Sequence, residues 1–148
     1  MSDAYAAVDA VDGDGPIVVQ RMQTPGIEVR IAVSQHPALG PVLTVGPGGQ
    51  SGTALGDHPQ RLLPLSRRGI TELLASSRLG GLLTEHRVDL GPLTDLVERV
   101  SDLAIQHDRI ASIVLDPVLV SAADCAVSDA WIGLHQRDTP TAALRQLD

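Results

Sequence analysis

The stretch IEVRIAVSQHPALGPVLTVGPGGQSGTALGD, Ile27 to Asp57, decides between an alternating βα chain and an antiparallel one. Ile27, Val29, Ile31 and Val33 alternate with other residues, the period-two pattern of a strand covered on one face over Ile27–Ser34. HPALGP reads as a turn, and Pro41–Val45 as a further strand feeding a glycine-rich segment. That segment, Thr44 to Asp57, places five glycines in fourteen residues. A dinucleotide-binding turn needs GxGxxG so that a helix packs close to its strand, but counting from Gly46 the third glycine position is Ser51. A Walker A loop needs a lysine to reach a phosphate, and the chain has no lysine at all. What remains is a backbone able to take positive φ and present N–H groups. A plain loop or hairpin turn explains the same glycines, and the local sequence leaves both readings open.

On either side the elements follow from pattern and punctuation. Ser2–Val11 suits a short helix or the tail of a longer one, ended by GDGP. Ile17–Met22 reads as a strand, and the turn at Thr24–Gly26 predicts that it pairs with Ile27–Ser34 as a hairpin. LLPL at Leu62–Leu65 reads as a short extended piece. Ser66 caps a helix expected to run to about Arg78 and to stop at Gly80 and Gly81. A stronger helix spans about Pro92 to His107, with Leu93, Leu96, Val97, Val100, Leu103 and Ala104 on one face. Ile110–Val120 and Ala126–Leu134 read as an antiparallel pair joined by SAADC. The tail HQRDTPTAALRQLD has a helix start at Thr139 and Pro140, or is a linker. The order helix, hairpin, strand, glycine loop, two helices, hairpin predicts an α+β fold with a largely antiparallel sheet flanked by helices.

Composition narrows the function. The 148 residues suit one domain, and with no Phe, one Tyr and one Trp its core must be aliphatic. The net charge of −7 arises from eleven Arg against eighteen acids, scattered apart from Arg67 and Arg68. Nucleic-acid binding would want a basic face and stacking aromatics, so no nucleic-acid partner is expected. The lone Cys125 has no partner for a disulfide or a CxxC site. No apolar run is long enough to span a membrane and no basic-then-apolar leader opens the chain, so the expectation is a cytoplasmic protein without a membrane partner.

Two acids interrupt the last pair of strands. Asp116 stands in an apolar run just before Pro117, and Asp129 lies thirteen residues later in the next strand. Side by side, two carboxylates repel unless a cation or proton lies between them. Magnesium is the natural candidate, since it takes hard oxygen ligands and is completed by water and phosphate oxygens. Solvent-facing aspartates, or a bend at Pro117, are the plain alternative.

Several short motifs, in order from about Val18 to Leu134, resemble the C-terminal half of the ATP-grasp domain in NDP-forming acyl-CoA synthetases. This group includes the β subunit of succinyl-CoA synthetase and ADP-forming acetyl-CoA synthetase. VVQRM resembles the family's hinge strand and GIEV its GxEV segment, with Glu28 eight positions after Gln20. HPALGP is similar to DPxFGP, VGPGG to GxGG, RLLPL to RLxPL, LDPVLV to DxNPLxV and VSDAWI to VDARI. The resemblance implies ATP (or another NTP) and Mg2+ as cofactors. It places Gln20 and Met22 on the adenine side, Glu28 on the ribose or phosphate side, and the backbone of Gly48 and Gly49 near the phosphates. Asp116, standing for a metal-binding Asn, and Asp129 would hold the metal. The implied boundaries are an upstream helix end and connector at 1–16, the ATP-grasp C-terminal lobe at 17–135, and a tail or linker at 136–148.

The chain also departs from that pattern. The family's carboxylate after GG falls at Thr53, and the acids before its metal-binding Asn fall at Val114 and Ser112. Such acids are associated with steadying a phosphohistidine loop, and a valine cannot replace them. The lobe carrying the phosphate-binding lysine would lie upstream, so the expectation is a fragment of a longer chain, acting with that lobe and a CoA-binding domain. If active, it would be an NDP-forming acid–CoA ligase with no catalytic residue of its own. The alternative is a noncatalytic regulatory or assembly module, as in protein acetyltransferase fusions. His36, His58, His86, His107 and His135 match no phosphohistidine position and read as surface or turn residues.

Overall fold

The structure is a computed structural model that describes residues 6, 21–49, 52, 56–122 and 124–135. Ala6 is helical. The rest of the expected N-terminal helix, Gln20 and most of its strand, Thr53, and the tail from 136 onward lie outside the described residues.

Six strands form one antiparallel sheet: β1 (Ile27–His36), β2 (Gly40–Pro47), β3 (Gln60–Leu62), β4 (Ile110–Val120), β5 (Cys125–Val127) and β6 (Ala130–Leu134). Their order is β3-β2-β1-β4-β5, with β6 also against β4. Between β3 and β4 the chain forms three helices, α1 (Arg67–Ala75), α2 (Arg78–Glu85) and α3 (Leu90–Gln106). The expected α+β architecture is what folds.

The partner of β1 differs from expectation. β1 has β2 on one edge, from Val29↔Pro47 to His36↔Gly40, and β4 on the other, from Ile27↔Val120 to Ser34↔Ser112. Both edges are taken, and of the expected hairpin partner only Arg21 and Met22 are among the described residues. Arg21 and Met22 lie in no strand. The short HPALGP turn joins β1 to β2 instead, with Gly40 at φ +81°, a conformation glycine takes at little cost.

The helices cover one face of the sheet. Val29, Ile31 and Val33 of β1, Leu43 and Val45 of β2, and Ile113, Leu115, Val118 and Val120 of β4 are buried against Ile70, Leu73, Leu74, Leu79, Leu83, Leu93, Val97, Val100 and Ala104. Every one of these side chains is aliphatic, as the composition requires. Each fully buried side chain of this size contributes about 1.5–3 kcal/mol.

Two helix expectations need correction. Ser66 does cap α1, its Oγ accepting from Gly69 N at 3.2 Å, but α1 stops at Ala75 and a separate helix begins after Ser77. Gly80 and Gly81 lie inside that second helix. The reason is steric: a Cβ on Gly80 would lie 2.8 Å from Ala75 Cα and from the Leu74 and Ala75 carbonyl oxygens. Gly80 is therefore where α2 folds back tightly on the end of α1, not a stop signal. In α3 the buried stripe is Leu93, Thr94, Val97, Val100, Ser101 and Ala104, whereas Leu103 is exposed and Leu96 only half-buried. The helix is turned slightly toward its small polar residues, and Ser101 Oγ satisfies itself on Val97 O at 2.7 Å.

Candidate functional site

On the face of the sheet opposite the helices, β1 presents Glu28, Arg30, Ala32 and Ser34, the residues alternating with its buried ones. β4 presents Ser112, Val114 and Asp116 to the same side. The alternation in β4 breaks at Asp116–Pro117, where two consecutive residues separate buried Leu115 from buried Val118. At the same point the β1–β4 register shifts between Val29↔Val118 and Ile31↔Leu115, so the single residue Arg30 faces both Asp116 and Pro117. This bulge aims Asp116 away from the core and toward Arg30.

The contacts of Asp116 follow from that geometry. Arg30 Nη1 donates to Asp116 Oδ2 at 2.6 Å, and Gly49 N donates to Asp116 Oδ1 at 2.8 Å. The two side chains of the ion pair are 35% and 20% exposed, so the pair is worth about 1 kcal/mol or less. Both oxygens of the carboxylate are thus engaged within the protein.

Asp129 lies directly across from Asp116. β5 and β6 continue one register along β4, interrupted at Ser128 and Asp129. Across the gap Asp116 N donates to Asp129 O at 3.3 Å and Ser128 N to Pro117 O at 3.0 Å. The expected pairing of Ile110–Val120 with the following strand is therefore present, broken where the second acid falls. The Asp129 carboxylate is exposed and accepts from its neighbour Ala130 N at 2.8 Å.

The glycine segment closes the site from the β2 side. Gly48 N donates to Glu28 O at 2.8 Å, and a Cβ on Gly48 would stand 2.6 Å from Val29 C. Gly49 has φ +61°, and the Glu28 carboxylate lies over its α-carbon where a side chain would be. Gly52 N bonds back to Gly48 O at 3.0 Å, a helical turn rather than an open loop. The Gly48 amide is thus directed to the Glu28 backbone carbonyl and the Gly49 amide to the Asp116 carboxylate.

Of the residues expected from sequence, Glu28, Gly48, Gly49, Asp116 and Asp129 come together. Met22 is 91% exposed in the segment before β1, and Gln20 lies outside the described residues. Arg30 was not expected. Its signal was a cation two places after Glu28 on an alternating strand, hence on the same face. Among the described residues no group of three or more His, Cys, Asp or Glu gathers as a metal cluster. The donors that Asp116 and Asp129 offer are hard oxygens, which fit magnesium in kind, with the remaining ligands left to water or phosphate.

Two cavities lined by described residues lie elsewhere. One of about 290 Å³ is lined by Gly26, Ile27, His86, Val88 and Val120, and one of about 630 Å³ by Gln35, His36, Ile105, Asp108 and His135. Neither includes Glu28, Arg30 or the aspartates, which sit on an open sheet surface. Cys125, on β5, has its thiol pushed up to about 11, first by burial and then by Asp124. It stays protonated and is no nucleophile at neutral pH. Away from the site, Arg67 bridges Asp95 and Glu98 of α3 at 2.7 Å each, and its hydrogen bond to Asp95 leads in raising its pKa.

A model described as the ATP-grasp domain matches residues 5–134. The acetate–CoA ligase [ADP-forming] I of Archaeoglobus fulgidus is 32% identical over 117 residues, 76% of this chain and 17% of that protein. The β subunit of the acetate–CoA ligase [ADP-forming] I of Pyrococcus furiosus is 25% identical over 118 residues, 77% of this chain and 51% of the subunit. The chain thus spans at most about half the length of these relatives. Among solved structures, a dinucleotide-forming acetyl-coenzyme A synthetase 1 of Candidatus Korarchaeum cryptofilum superposes with a TM-score of 0.73 at 27% identity. The match covers 77% of this chain and 55% of that one, which is in complex with coenzyme A and Mg-AMPPCP.

Proposed function

The chain belongs to the ATP-grasp domain family, and from that premise we propose that it is the nucleotide- and magnesium-binding C-terminal lobe of an NDP-forming acyl-CoA synthetase-like protein. The observation that carries the reading is the meeting of Glu28, Arg30, Gly49 and Asp116, with Asp129 across the strand, on the sheet face that no described helix covers. An open face of this kind suits a ligand held between two bodies. The second body in this reading is an upstream ATP-grasp lobe, and a CoA-binding domain completes the reaction, in the same chain or a partner subunit.

Each residue then has a part. Gln20 and Met22 line the adenine side and Glu28 the ribose or phosphate side. Gly48 and Gly49 supply the floor, Gly48 because a Cβ there would meet the β1 backbone and Gly49 because its φ is positive. Asp116 and Asp129 hold Mg2+, which when bound neutralises phosphate charge. Phosphoryl transfer depends mainly on positioning and such neutralisation. The protein's own contribution is to set the two aspartates opposite each other on one strand pair and to keep Arg30 beside Asp116.

Calorimetric titration with Mg-AMPPCP tests this. The reading expects Asp116→Ala combined with Asp129→Ala to weaken binding about tenfold or more, the loss of two oxygen ligands at a partly exposed site. Equal affinity in the double variant would refute the metal assignment.

One observation favours a second reading, a noncatalytic regulatory module. Val114, where the resemblance expects an acid, sits between Ala32 and Trp131 on the same face, an apolar row across three strands. Nothing in that row can steady a phosphohistidine. A thioester-forming assay with the CoA-binding partner separates the two: product supports the ligase, and its absence with nucleotide binding intact supports the regulatory module.

A further inference from the structure

We infer that Arg30 is the resident counter-cation of the Asp116–Asp129 site, a guanidinium that competes with a divalent metal for Asp116 and so sets how strongly the site takes one. The inference rests on the nucleotide-lobe reading and concerns the same site. Its basis is the bulge that sets Arg30 opposite Asp116, together with the 2.6 Å contact to Oδ2. Two carboxylates side by side require positive charge between or beside them. A metal supplies it from solution, whereas Arg30 supplies it from the chain.

The remaining partners of Asp116 sharpen the competition. Gly49 N holds Oδ1 at 2.8 Å, so the oxygen a metal would take from Arg30 is Oδ2. Among the described residues Asp116 has no ion pair other than that with Arg30. Asp129 makes none among the described residues, so the cation serves one member of the pair and leaves the other as the entry point for a metal. With no lysine in the chain, an arginine on β1 is the only cationic group the two strands beside Asp116 bring to it.

The test measures Mn2+ alone, without nucleotide, by the electron paramagnetic resonance signal of the free ion in titrations of the chain. Arg30→Gln removes the charge while keeping a polar side chain of similar reach. Mn2+ affinity is expected to rise about fivefold, the order of a partly exposed ion pair. Arg30→Lys keeps the charge and is expected to stay within about twofold of the wild type. The gain is expected to vanish in Arg30→Gln combined with Asp116→Ala. Unchanged or weaker Mn2+ binding in Arg30→Gln, or a gain that persists without Asp116, would overturn the inference. Circular dichroism confirms that each variant is folded, and if Arg30→Gln is not, Arg30→Met carries the same expectation and the same refuting outcome. A fivefold Mn2+ response in a protein that fails to bind AMPPCP even with the upstream lobe present would refute the nucleotide reading alone. Nucleotide binding with a flat Mn2+ response would refute this inference alone.

Discussion

Gly48 shows how tightly the site is drawn. Its missing side chain would meet Val29 C at 2.6 Å and Arg30 N at 2.9 Å. Those are backbone atoms, which cannot rotate aside. Gly48→Ala is expected to destabilise the protein by about 1–3 kcal/mol through overpacking. Gly40, by contrast, has a positive φ but open space around it, so Gly40→Ala is expected to cost only about 1 kcal/mol of backbone strain. Thermal melts of the two variants check this, and an equal loss would show that Gly48 is not wedged against β1. Glycine count alone could not separate these positions, because the sequence shows which residues lack a Cβ but not what stands where one would be. Asp116 and Asp129 were legible, as charges interrupting apolar strands. Arg30 was overlooked because its partner lies 86 residues away, and a lone arginine in an alternating strand reads as a solvent-facing residue.

The elements were legible in proportion to how local their causes are. α3 reads from its apolar spacing, and its cap at Asp89, which accepts from Gly91 N at 2.9 Å, is local chemistry. The β4 pairing with β5 and β6 followed from two apolar runs and a polar turn. The placement of β1 was not local: the TPG turn favours the preceding segment as its partner, yet β2 and β4 occupy both edges. Nor was the α1–α2 joint, where a paired glycine looks like a terminator and is instead a close approach. That joint gives a paired test. Gly80→Ala is expected to cost about 1–3 kcal/mol by pressing on the end of α1. Gly81, with nothing within 4 Å of its would-be side chain, is expected to gain up to about 1 kcal/mol as Ala, from helix propensity alone. Chemical denaturation reads both signs, and a stabilising Gly80→Ala would contradict the packing assigned to this joint.

Taken together, the described sheet has one face buried under α1–α3 and one left to carry polar chemistry. The division follows from strand alternation: apolar residues took one side, and Glu28, Arg30 and Asp116 were left on the other. A ligand on a face that no described helix covers is enclosed only when a second body closes over it. The most direct test of the account is the map of backbone amide NMR shifts as Mg-AMPPCP is added to the chain. The prediction is that the largest shifts fall on Glu28, Arg30, Gly49, Asp116 and Ala130. Shifts confined to the helical side, around Leu93, Val97 and Ser101, would contradict it.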